Sequence, residues 1–124
     1  MLSRDELSAA GITDGESRRR LHDAGLTVLQ VDCLIRWTAG TAAPQTIAEE
    51  REVFDAASAF GARIVSVIGP GNNTHSEVQL AERLAGVCDR GAERGFDIAL
   101  EVSRRSAVAT RKVLASLESA SPAS

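Results

Sequence analysis

The sequence predicts an α/β fold in which parallel strands alternate with helices, and three observations carry that prediction. Short segments rich in β-branched and apolar residues recur at Thr27 to Cys33 (TVLQVDC), Arg63 to Ile68 (RIVSVI) and Asp97 to Glu101 (DIALE). Between them lie longer stretches whose apolar residues return at helical spacing. Most of those stretches open on Ser or Thr with Glu three positions on, and close on Gly. That pattern is a capping box at one end and a left-handed turn at the other. Strands separated by long helices form parallel βαβ units with right-handed crossovers.

Ser3-x-x-Glu6 opens a short helix that stops near Gly11, and Thr13-x-x-Glu16 opens a second that runs to Gly25. The first strand follows, then a loop through Trp37, Gly40 and Pro44. Thr46-x-x-Glu49 caps a long helix that places Ile47, Phe54 and Ala57 on one face, widened by Val53 and Phe60, and Gly61 ends it. Arg63 to Ile68 is the clearest strand. It leads into Gly69-Pro70-Gly71-Asn72-Asn73, a dense cluster of turn formers. Thr74-x-x-Glu77 caps the next long helix, with Leu80, Leu84, Val87 and Cys88 at helical spacing and Gly95 at its end. After the third strand and Arg104-Arg105, residues 107–117 read as a last helix. Residues 1–120 form one α/β domain on this reading, and 121–124 (SPAS) a frayed tail.

The chain has 124 residues, 44% hydrophobic and 25% charged, enough apolar material for a single core. Its net charge is −3 and it shows no basic stripe, which argues against a general nucleic-acid binder. Arg18-Arg19-Arg20 and His22 read as a solvated helix face. No apolar run approaches membrane-spanning length, and the polar start Ser3-Arg4-Asp5-Glu6 lacks a targeting core, so the expected compartment is the cytoplasm with no membrane partner. Cys33 and Cys88 have no partner at metal-type spacing and are expected to be free, buried thiols.

Glu101 is the candidate metal ligand. Strand side chains alternate, so Ile98, Leu100 and Val102 point to one face and Asp97, Ala99 and Glu101 to the other. With the apolar set against helices, Glu101 stands on the opposite face at the carboxyl end of a parallel strand. That end is where barrel and open α/β enzymes carry their chemistry. Three parallel strands leave two bare edges, which marks the sheet as part of something larger. The Gly69 to Asn73 loop lacks the Gly-Lys-Ser/Thr ending of a P-loop and reads as a strand-to-helix turn.

An ordered series of segments carries a family resemblance. Ala24-Gly25-Leu26 leads to Val31-Asp32 and Trp37, and Ala59-Phe60-Gly61-Ala62-Arg63 leads to Val65-Ser66-Val67. Leu80 to Ala85, Cys88 to Gly95 and Ile98 to Glu101 follow, then Ser106 to Thr110. Over roughly residues 5 to 120 the chain resembles the xylose isomerase-like TIM barrels, in particular the sugar phosphate isomerase/epimerase group. The match corresponds to about half of such a barrel, so the implied fold is a partial (β/α)8 barrel. The resemblance implies proton transfer next to a sugar carbonyl, assisted by Mn²⁺ or Mg²⁺. It also implies that Glu101 is a metal ligand whose companions, an Asp, a His and a second Glu, come from later strands absent here. Asp32 and Trp37 fall where the family lines its sugar pocket, and His75 is placed to meet a sugar hydroxyl or phosphate. No catalytic base is identified. The chain alone is expected to lack activity and to act by pairing, as a homodimer or with a complementary half barrel. The alternatives are a non-catalytic fragment or binding module and, last, a relative of the apurinic endonucleases, which use several His ligands where this chain has 2 His in all.

Overall fold

The computed structural model describes residues 4–71, 75–104 and 106–120. Helices α1 (Arg4–Ala9) and α2 (Asp14–Asp23) precede strand β1 (Gln30–Leu34) and a 3-10 turn (Arg36–Ala39). Helix α3 (Pro44–Phe60), strand β2 (Ile64–Ile68), helix α4 (Glu77–Glu93), strand β3 (Asp97–Glu101) and helix α5 (Ala107–Ala120) complete the order. The strands form one three-stranded sheet, β1-β2-β3, parallel throughout. This is the α/β alternation of a partial barrel.

The core lies between one face of the sheet and the helices. Val65 and Val67 of β2, Phe54 and Ala57 of α3, Leu80, Leu84 and Val87 of α4 and Val113 of α5 are buried together. Ile98 and Leu100 pack against this cluster, which leaves Asp97, Ala99 and Glu101 on the other face as their alternation requires. Burying a side chain of this size contributes about 1.5–3 kcal/mol, so the helix-facing residues are what hold the sheet. Outside the core, Arg90 makes a two-pronged pair with Glu50 at 2.8 Å, and Arg94 reaches Asp55 at 3.0 Å while lying 5.7 Å from the centres of the Phe54 and Phe96 rings. These contacts tie α3 to α4 and to the start of β3.

Several local expectations are met. Thr13 accepts from the Glu16 amide at 3.1 Å, and Gly61 closes α3 in the left-handed conformation, φ 70°. Others are corrected. Strand β1 begins at Gln30 instead of Thr27, because its partner begins at Ile64, directly opposite Gln30, and Leu29 is 70% exposed. Thr46 and Glu49 do not cap α3, which starts at Pro44. The buried Thr46 hydroxyl donates to the Arg36 carbonyl at 3.0 Å, and Glu49 accepts from the amides of Ile35 and Arg36 at 2.7 and 2.9 Å. Both side chains fasten the loop after β1. Ile47 lies 44% exposed, off the buried face of α3. The cap of α4 is Ser76, in a reciprocal box with Gln79, while Thr74 lies outside the described residues, as does Ser3. Cys33 is half-buried and Cys88 exposed, so neither is the core thiol expected; both are free. Among the described residues no helix is long and apolar enough to cross a membrane.

Candidate functional site at the carboxyl ends of the strands

The register fixes which side chains share the face turned away from the helices. Ile64, Ser66 and Ile68 of β2 stand opposite Asp97, Ala99 and Glu101 of β3. On the other side Gln30 is opposite Ile64 and Val31 opposite Val65, but Leu34 is opposite Val67. Asp32 and Cys33 together therefore span the single position of Ser66. One extra residue in a strand is a bulge, and it turns the strand so that its later side chains change face. Leu34 is thereby directed into the core, 1% exposed, although simple alternation would put it beside Asp32.

The bulge brings Asp32 onto Ser66. The buried Ser66 hydroxyl donates to Asp32 Oδ1 at 2.6 Å, and Gln30 Nε2 donates to the same oxygen at 2.8 Å. These two bonds, the Ser66 bond first, hold the Asp32 carboxyl below its ordinary range. Cys33 is affected in the opposite sense. Burial first, then the charges of Asp32, Glu49 and Glu101, push its thiol up. The carboxylates of β1, α3 and β3 thus all act on this thiol in the same sense.

Glu101, the last residue of β3, is exposed, and its backbone carbonyl accepts from Gly69 at 2.9 Å. His75 is half-buried, immediately before the cap of α4 and after the β2 loop, at the same end of the sheet. Trp37 is different. It is 2% exposed, and its Nε1 donates to the Ile68 carbonyl at 2.8 Å. Its ring is a plug between the loop after β1 and the end of β2, with no surface offered to a ligand. The strand ends thus bring together Asp32, Glu101 and His75, and they add Ser66, Cys33 and Glu49, which the sequence reading had not placed there. Ser66 had a signal, as the one polar residue inside the apolar run IVSVI. Cys33 and Glu49 had none, because the bulge and the loop they serve are invisible in pattern alone.

No group of three or more His, Cys, Asp or Glu side chains among the described residues is arranged to hold a metal ion. Glu101 and Asp32 are hard oxygen donors of the kind Mn²⁺ or Mg²⁺ takes, but one or two carboxylates do not fix a coordination shell. The residues present do not fit a complete metal centre. A groove of about 560 Å³ lies on the helical layer between α4 and α5, lined by Val78, Ala81, Ala85, Lys112 and Leu117, and contains none of the strand-end residues.

No family model matches the chain, and no curated protein matches it by sequence. Solved structures do. A xylose isomerase domain containing protein from Salmonella typhimurium LT2 superposes with a TM-score of 0.67 at 14% identity, covering 83% of this chain and 40% of that one. A xylose isomerase-like TIM barrel/4-hydroxyphenylpyruvate dioxygenase fusion protein gives 0.65 at 14% identity, over 81% of this chain and 18% of the other. The probable 3-DHS dehydratase AsbF of Bacillus anthracis, involved in petrobactin synthesis, gives 0.60 at 15% identity, over 84% and 41%. The fold is therefore that of the xylose isomerase-like TIM barrels. The chain spans about two fifths of the Salmonella and Bacillus proteins.

Proposed function

We propose that this chain is the metal-ligand-bearing part of a sugar-processing barrel of the isomerase/epimerase type, acting on a sugar or sugar phosphate by proton transfer next to a carbonyl. The observation that supports it most is the placement of Glu101: last in β3, exposed, on the face away from the helices, in a sheet that superposes on xylose isomerase-like barrels. In this reading Glu101 supplies one carboxylate to a divalent ion whose other ligands come from the rest of the barrel. Asp32, held by Ser66 and Gln30, and His75 border the sugar. When bound, the ion stabilises negative charge developing on substrate oxygens. The chain alone carries out no turnover.

The experiment is solvent-deuterium exchange into a panel of aldoses, ketoses and their phosphates, with Mn²⁺, using this chain assembled with complementary β/α units. Exchange into at least one sugar that disappears in Glu101→Gln is the expected result. Exchange indifferent to that substitution would refute the role of Glu101. A second reading, a non-catalytic binding or assembly module, is favoured by the lack of a three-residue metal cluster among the described residues. It predicts no exchange with any sugar in the assembled state.

A further inference from the structure

We propose that the cavity between the loop after β1 and helix α4 is a binding site for a small monocarboxylate, of the size and chemistry of a short 2-oxo or 2-hydroxy acid. It contains none of Asp32, Ser66, His75 and Glu101, so it is separate from the strand ends and does not depend on the function proposed for them.

The cavity has a volume of about 170 Å³, and its walls include Gly40 and Thr41 of the loop and Glu82, Arg83, Gly86 and Arg90 of α4. Liquid water takes about 30 Å³ per molecule, so the space suits a ligand of roughly six non-hydrogen atoms. Arg83, Gly86 and Arg90 recur at i, i+3 and i+7, which puts them on one face of the helix.

Arg83 supplies the charge. It is half-buried, and its Nη1 donates to the Thr38 carbonyl, which fastens the loop to α4. That task uses one of the five N–H donors of a guanidinium. Among the described residues Arg83 makes no other hydrogen bond, and no carboxylate pairs with it. A Cβ at Gly40 would stand 2.8 Å from Arg83 Nε, and one at Gly86 would stand 2.9 Å from Arg90 Nη1. Both guanidinium heads therefore lie against bare backbone, where any side chain would crowd them.

Arg90 adds a second donor. Its Nε and Nη2 are committed to Glu50, each at 2.8 Å. Its Nη1 reaches back one turn toward Arg83, over Gly86, and has no partner among the described residues. The exposed Thr41 hydroxyl, also without a partner among them, is a third.

The balance of charge selects the ligand. Glu50 cancels Arg90, and Glu82 stands exposed on the rim. At most one positive charge is left unmet, which suits a monoanion and opposes a phosphate dianion. A guanidinium edge holds a carboxylate through two parallel N–H···O bonds. The donors on Arg90 and Thr41 then match an oxygen on the carbon next to that carboxylate.

The test is a heteronuclear NMR titration of the purified chain with pyruvate, run beside acetate and inorganic phosphate. Pyruvate is expected to saturate with a Kd of roughly 1 mM and to shift the Gly40, Thr41 and Gly86 amides. Acetate and phosphate should each bind several-fold more weakly. Arg83→Gln should weaken pyruvate by roughly tenfold, and Arg83→Lys nearly as much, because an ammonium offers no fork. Glu82→Gln leaves the contact between Arg83 and Thr38 in place and should tighten pyruvate roughly two- to threefold. It thereby separates a lost ligand contact from a loosened loop. The proposal is overturned by no saturable shift up to roughly 20 mM, by acetate or phosphate binding as tightly as pyruvate, or by an affinity that Arg83→Gln and Glu82→Gln leave unmoved. Failure of the sugar-exchange experiment would leave this site standing, and an empty site here would leave the role of Glu101 standing.

Discussion

Replacing Gly69 with Ala should loosen the mouth of the sheet by a predictable amount. A Cβ at Gly69 would stand 2.7 Å from Thr110 Oγ1 and 3.0 Å from both the Glu101 carbonyl oxygen and Ser106 Oγ. None of these atoms is free to retreat. Thr110 and Ser106 are each 2% exposed, the Ser106 hydroxyl is bonded to the Ser103 amide at 2.9 Å, and the Glu101 carbonyl is held by the Gly69 amide at 2.9 Å. The start of α5 must move away from the ends of β2 and β3, and overpacking of this kind costs about 1–3 kcal/mol. For a domain of this size about 2 kcal/mol lowers Tm by roughly 6–10 °C. Gly71→Ala is the control, since a Cβ there meets nothing within 4 Å, and it should be neutral or stabilising by a few tenths of a kcal/mol. Thr110→Ala removes the closest obstacle together with a buried hydroxyl that has no hydrogen-bond partner. In the double variant it should recover about 1 kcal/mol of the Gly69→Ala loss. Urea unfolding of the wild type and these four variants measures all three quantities. A Gly69→Ala cost within about 0.5 kcal/mol of the Gly71→Ala value, or no coupling to Thr110, would refute the packing of α5 described here.

Ser66→Ala should cost about 1 kcal/mol in urea titrations, since Asp32 is exposed and regains water when it loses its buried donor. Asp32 has a lowered carboxyl pKa in the folded chain, so its contribution is present above the ordinary Asp value and is lost as pH falls through the folded value. NMR titration should show the Asp32 pKa moving up in Ser66→Ala, and the acid-side loss of stability should become shallower. Cys33 should react with iodoacetamide at pH 8 more slowly than a free thiol, because its pKa is raised by burial and by the nearby carboxylates. Asp32→Asn and Glu101→Gln should each speed that reaction. An unchanged rate in Glu101→Gln would show that the Glu101 charge does not reach Cys33. Glu50→Gln breaks the paired contact with Arg90 and should cost about 1–2 kcal/mol, read by thermal melting; a loss under about 0.3 kcal/mol would show α3 and α4 held by apolar packing alone.

The parts of the fold legible in the sequence were those set locally. Asp97 to Glu101 is a strand with the bounds its pattern gave, and Gly61 ends α3 because only a left-handed turn brings the chain back to β2 there. Alternation along β3 correctly put Glu101 on the open face. What pattern missed depends on partners distant in the chain. Thr46 and Glu49 have the spacing of a cap, but the backbone groups they meet, the Arg36 carbonyl for Thr46 and the Ile35 and Arg36 amides for Glu49, lie about ten to fourteen positions back. The bulge at Asp32 and Cys33 comes from pairing with β2 and leaves no mark in the β1 sequence. Trp37 sits in a loop by sequence and is buried, because the Ile68 carbonyl at the end of another strand accepts its N–H.

Titration of the purified monomer with Mn²⁺, followed by calorimetry and by the loss of the free-ion electron resonance signal, tests most directly whether Glu101 belongs to a centre completed from outside this chain. The account predicts no site tighter than about millimolar in the chain alone, and no difference between the wild type and Glu101→Gln. A stoichiometric micromolar site in the monomer that vanishes with Glu101→Gln would contradict it, because the missing ligands would then have to lie within these 124 residues.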